Sequence, residues 1–122
     1  MKWTDLTPDQ QCVLLNAVEE DYLFGMLQEC GGGWDWPERL THVPRLTAIV
    51  EDLIDQGLIE LTKDPDEEGV PPVSVPADQV HAILADPDNW WSPDGVRPFS
   101  LAPTDAGLAV YRSTPARDAG KN

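Results

Sequence analysis

Leu53-Ile54-Asp55-Gln56-Gly57-Leu58-Ile59 is the stretch on which the fold turns. Before it, Leu46, Ile49, Val50, Leu53 and Ile54 recur at three- and four-residue spacing, which predicts a helix from about Val43 to Gln56 with Pro44 in its first turn. Gly57 is placed to end that helix, because glycine reaches positive φ without steric cost. Leu58-Ile59-Glu60-Leu61 then reads as a short strand whose first two residues drop into the core. The chain is therefore expected to be α+β.

Upstream, Thr7-Pro8-Asp9-Gln10 is a helix start. Thr7 can cap the free amides, Pro8 suits the first helical position, Gln10 can close a capping box, and Asp9 complements the helix dipole. Leu14, Leu15, Val18 and Tyr22 mark one buried face of a helix running to about Glu20. Asp21 is expected to cap a second, well-buried helix, Tyr22 to Cys30, with Leu23, Phe24, Met26 and Leu27 inside. Gly31-Gly32-Gly33 stops it. Trp34-Asp35-Trp36-Pro37 reads as a connector opening a short turn over 37–40.

Downstream, 63–72 is a polar loop holding Pro65, Pro71 and Pro72 together with Asp64, Asp66, Glu67 and Glu68. Residues 76–85 read as a short helix with Val80, Ile83 and Leu84 inward, stopped by Asp86-Pro87-Asp88-Asn89. Trp90-Trp91 precedes a turn at Ser92-Pro93-Asp94-Gly95. Val96 to Leu101 reads as a second strand. Thr104-Asp105 caps a last helix to about Tyr111 or Ser113, and the tail, 114–122, is expected to be flexible.

The order of these elements and three pieces of sequence resemble the winged helix-turn-helix regulators of the MarR and PadR type. The pieces are Leu6-Thr7-Pro8-Asp9-Gln10, the handover 53–59, and Phe99-Ser100-Leu101-Ala102-Pro103-Thr104-Asp105-Ala106-Gly107. The resemblance covers roughly residues 5–61 and 96–112. It implies a single winged-helix-like domain over 1–113, with three N-terminal helices, a two-stranded wing and a C-terminal helix. It also implies that the helix 43–56 is the recognition helix and that a homodimer is open to the fold, although the last helix is short.

Two features depart from that family. The segment between the strands, 62–95, is much longer than a usual wing and holds its own helix. The outward positions of helix 43–56 are read as Arg45, Thr47, Ala48, Glu51, Asp52 and Asp55, one base against three acids. DNA-binding proteins meet phosphates with Lys and Arg at such places. Lys63, in the wing, stands beside Asp64, Asp66, Glu67 and Glu68.

The whole chain repeats that bias. Twenty-two acids against eight bases give a net charge of −14 over 122 residues. A field of that sign repels nucleic acid and anionic membranes and favours basic proteins or cations. Solubility or adaptation to salt accounts for the charge without any partner. The longest apolar runs are too short to cross a bilayer. The first residues lack a secretory h-region, so the cytoplasm is the expected compartment. There Cys12 and Cys30, whose spacing fits no zinc motif, are expected as reduced thiols, with a bridge between neighbouring helices as the lesser alternative.

No catalytic pattern occurs around His42 or His81. The glycine triplet lacks the Gly-Lys-Ser/Thr ending of a phosphate loop. Asp64, Asp66 and Glu68 partly match a calcium loop, but the twelfth place is Val75 rather than a carboxylate. No metal, cofactor or enzymatic activity is implied. The five tryptophans include two pairs, Trp34/Trp36 and Trp90/Trp91, and tryptophan is a favoured interface anchor. Of Trp90 and Trp91, one is expected inward and one outward.

The expected function is a non-enzymatic acidic module that binds a protein partner of basic character, in regulation or as a mimic of DNA charge. The candidate surface residues are Arg45, Glu51, Asp52 and Asp55 on the helix, Asp64, Asp66, Glu67 and Glu68 on the loop, and Trp90 and Trp91. The alternative is a dimeric DNA-binding regulator.

Overall fold

A computed structural model describes residues 1–114. Among these, six α-helices and a three-stranded antiparallel sheet form a mixed α+β architecture, compatible with a winged-helix layout. A single 3-10 turn, Trp3–Asp5, leads into α1, Pro8–Val18. Thr7 and Gln10 close a reciprocal capping box, with backbone-to-side-chain bonds of 3.1 and 2.9 Å.

The buried face of α1 is Val13, Leu14, Asn16 and Ala17, so of the expected Leu14, Leu15, Val18 and Tyr22 it keeps Leu14 alone. Leu15 and Val18 are half-buried, and Tyr22 has left the helix. Glu20 is the cause: it takes φ 56°, and no other non-glycine residue described has positive φ. The chain reverses there, and Tyr22 pairs with Ser100 in an isolated bridge. Asp21 does not cap the next helix. Its amide donates to the Asn16 carbonyl and its carbonyl accepts from Leu101, so residue 21 is held between α1 and the sheet.

The second helix is shorter and less regular than expected. α2 covers Leu23–Met26 and continues as a π-helical turn, Leu27–Gly31. Gly32 and Gly33, at φ 80° and 98°, end it. Asp35 caps α3, Trp36–Leu40, accepting from the Glu38 amide at 2.9 Å. α4, Val43–Asp55, buries Val43, Leu46, Thr47, Val50 and Leu53. Gly57, at φ 75°, turns the chain into β1, Ile59–Lys63.

β1 is the central strand. It pairs with β2, Val73–Ser74, on one side and with β3, Phe99–Pro103, on the other. β3 starts three residues later than the expected Val96, because Arg97 and Pro98 are still outside the ladder and the Pro98 carbonyl accepts from the Asp64 amide instead. The expected two-stranded wing thus carries a third, two-residue strand. α5, Ala77–Ala85, and a 3-10 turn, Pro87–Asn89, lie between β2 and β3. Thr104 caps α6, Asp105–Arg112, accepting from the Gly107 amide. The expected flexible tail lies outside the described residues, Thr114 excepted.

One cluster of buried side chains runs from Leu6 to Val110 and includes Val80, Leu84 and Trp90. The long segment between the outer strands is therefore not a loop appended to the fold. It supplies part of the core.

Candidate protein-binding surface

The side chains proposed for contact lie on three parts of the fold. On α4, the exposed edge consists of Pro44, Arg45, Ala48, Asp52 and Asp55. Arg45 is already engaged. Its Nη1 donates to Asp9 Oδ2 at 2.6 Å and its Nη2 to the Cys30 carbonyl at 3.1 Å. Asp52 Oδ2 accepts from Gln10 and Gln56 at 3.0 and 2.8 Å. These uncharged amides orient the carboxylate without cancelling its charge.

Thr47 is not an outward position, and Glu51 is outward only in part, with a third of its side chain exposed. α5 packs across that flank of α4: Thr47 is buried and donates to the Leu84 carbonyl at 3.0 Å, and half-buried Glu51 pairs with the His81 ring. Glu51, Asp55, Ala77 and His81 border a shallow cleft of about 130 Å³ between the two helices. The sequence offered no view of this, since nothing local says which side of α4 an inserted helix will cover.

On the wing loop, Asp66, Glu67 and Glu68 are exposed, whereas Asp64 is half-buried and accepts from the Tyr22 hydroxyl. That bond, with burial and the Asp64 charge behind it, raises the Tyr22 pKa above the usual phenol value. Asp64 is thus set apart from the three loop acids that follow it.

The tryptophan pair divides as expected only for Trp90. Trp90 is fully buried and donates Nε1–H to the Leu84 carbonyl at 2.8 Å. Burial removes it from the candidate surface, because no partner can reach it without unfolding. Trp91 is half-buried and stacks on Trp36, with centroids 5.2 Å apart. Trp36 in turn stacks on Phe24 at 4.9 Å, and the Arg39 guanidinium lies 4.8 Å from its ring. The freely exposed indole is Trp34, at 94%. The sequence paired Trp34 with Trp36, but only the three-dimensional stack shows which of them is left over.

The cysteines correct another expectation. Cys12 and Cys30 form a disulfide, with Cα atoms 5.9 Å apart, joining α1 to the π turn. The spacing of 18 residues carries no signal for this. It follows from α1 and the segment after α2 folding back on each other. Glu29, the residue before Cys30, has a carboxylate oxygen that lies, with oxygens of Glu19 and Asp21, in a group no more than 4.8 Å across. Burial, and then the Glu29 charge, raise the Asp21 pKa above the usual carboxylate value.

The surface that emerges can attract and orient cations, by Asp52 and Asp55 on α4 and by Asp66, Glu67 and Glu68 on the loop. No helix among the described residues is long and apolar enough to cross a membrane. No protein-family model, curated protein or solved structure matches this chain.

Proposed function

We propose that this chain is a non-enzymatic, acidic winged-helix module that docks a basic protein through the exposed edge of α4. The observation that carries this reading is the state of that helix. Its one exposed base, Arg45, is tied to Asp9, its acids Asp52 and Asp55 face solvent, and α5 covers Thr47 and part of Glu51 on its flank. A helix entering the major groove needs a free face and cationic contacts to phosphate. This one offers a partly covered face and carboxylates. Kinship with the MarR and PadR regulators belongs to the same proposal, with their use of the helix replaced. So does a cytoplasmic location, although a steadily reducing cytoplasm disfavours the disulfide.

The test compares two labelled probes by fluorescence anisotropy across a salt series: an arginine-rich peptide and a random-sequence DNA duplex. The peptide is expected to bind, with affinity falling as salt rises, and the duplex is not. D52N/D55N should weaken peptide binding by roughly threefold or more, the worth of two exposed charges. D88N/D94N removes the same charge elsewhere and should leave a much smaller effect. Equal effects from the two pairs mean that net charge alone binds the peptide. Duplex binding with a steep salt slope favours the dimeric DNA-binding regulator instead.

A further inference from the structure

The disulfide joins the same two elements that hold Arg45. Cys12 and Asp9 both lie on α1, and Cys30 contributes its own carbonyl to the guanidinium at 3.1 Å. Both cysteines are half-buried, so the bridge lies at the edge of the core and not within it. Beside it, the buried Asn16 side chain donates Nδ2–H to the Cys12 carbonyl at 2.8 Å. The same group lies 3.4 Å from Cys30 Sγ and 3.9 Å from Cys12 Sγ. An N–H directed at a sulfur stabilises the thiolate formed there. Cys30 also sits on the π turn, a geometry that single insertions adopt where a helix is held out of its regular register. The turn ends at Gly32, around which a side chain would meet open space.

We infer that Cys12–Cys30 is a reversible redox bridge, opened by low-molecular-weight thiols, and that its opening loosens the segment 27–31 and its hold on Arg45. A small thiolate attacks Cys12 Sγ. A sulfur–sulfur bond forms to the incoming molecule as the Cys12–Cys30 bond breaks, and the electron pair leaves on Cys30 Sγ, nearer the Asn16 amide. A second small thiolate attacks the small molecule's own sulfur in this mixed disulfide. It releases a small-molecule disulfide and the Cys12 thiolate. Two electrons pass to the protein, and each protein thiolate takes up a proton from water according to its pKa. Asn16 acts here as a positioning residue. Once the bridge is open, the Cys30 carbonyl is placed only by the packing of Leu27 and Gly31 on either side of it, so its hold on Arg45 loosens while the pair with Asp9 stays.

The full-length protein is equilibrated in buffers of varied reduced-to-oxidised glutathione ratio, then alkylated, and free thiols are counted by mass. Amide hydrogen exchange and the Arg45 Nε–H resonance are followed in the same buffers. The bridge should open and re-form in the folded protein within the range of ratios. On opening, amides of 27–31 should exchange at least about tenfold faster, those of Leu46–Leu53 should be unchanged, and the Arg45 signal should move. C12S/C30S should reproduce the reduced state. If that variant does not fold, the wild-type protein in reducing buffer decides the matter. A bridge that never forms, one that opens only in denaturant, reduction that unfolds the whole chain, or opening without change at 27–31 and Arg45 would each overturn the inference.

Discussion

Thr47 and Trp90 donate to a single acceptor, the Leu84 carbonyl, at 3.0 and 2.8 Å. Leu84 is in the last turn of α5, where carbonyls lack an intrahelical donor. One donor comes from α4 and the other from beyond the 3-10 turn, so this oxygen fastens the inserted helix to the fold. T47V removes one donor with little change of shape and should cost about 1 kcal/mol. W90F removes the other and should cost more, since it also empties core volume. Each single variant leaves the carbonyl satisfied, whereas the double variant orphans it. The double loss should therefore exceed the sum of the singles by about 1 kcal/mol or more, read by urea unfolding. Strict additivity would show that the shared carbonyl does not couple them.

Gly107 is needed for space and Gly57 for backbone freedom. A Cβ at Gly107 would collide with the Leu58 carbonyl oxygen, which is main chain and cannot swing aside. The same oxygen accepts from the Thr104 amide at 3.1 Å, so α6 is seated on the β1 entry by close backbone approach. G107A should cost about 3 kcal/mol or more, beyond ordinary overpacking. Gly57 has open space around it but φ 75°. G57A should cost only about 1 kcal/mol, the strain of a left-handed alanine. Thermal midpoints of the two variants rank the effects, and equal losses would refute the distinction.

These two glycines also mark what a sequence can and cannot disclose. Gly57, Thr7, Gln10 and Thr104 set helix ends through neighbours within a few positions, so those boundaries were legible, although Gln10 and Thr104 also bond to distant residues. The same holds for the turn at Ser92 to Gly95, closed by a bond of 3.1 Å. Gly107 acts on Leu58, Thr47 on Leu84, and Cys12 on Cys30, and no local pattern encodes those meetings. Asn16 shows the cost most plainly. Counted along the helix it is polar, yet it is fully buried because the disulfide segment folds over it. On the candidate surface, the acids of α4 were legible as acids, but not the covering of Thr47 and part of Glu51 by α5.

Trp36 and Trp91 form an aromatic stack between α3 and the end of the long insert, with an interplanar angle of 13°. A double-mutant cycle with W36A and W91A should give a coupling of about 1 kcal/mol beyond the area each buries. W91F should retain part of it, as a smaller ring in the same place. W36A alone should cost the most, since Phe24 and Arg39 also contact that ring. A coupling near zero would mean that the two indoles merely lie side by side.

Asp21 places an acid where the fold disfavours its charge. Burial is the larger cause and Glu29 the smaller, and both raise its pKa above 3.8. The folded state then holds a proton more tightly than the unfolded state. The favourable contribution is complete below pH 3.8 and is lost as pH rises through the raised folded value. At neutral pH the ionised Asp21 therefore costs stability. D21N keeps the shape without the charge and should raise the thermal midpoint at pH 7, an advantage that closes as pH falls through that window. E29Q should give a smaller gain, because it relieves only the repulsion and leaves the partly desolvated charge in place. The comparison requires unfolding curves for the three proteins from pH 3 to pH 7. A larger gain from E29Q than from D21N would reverse the order of causes, and an unchanged D21N advantage in acid would remove ionisation from the account.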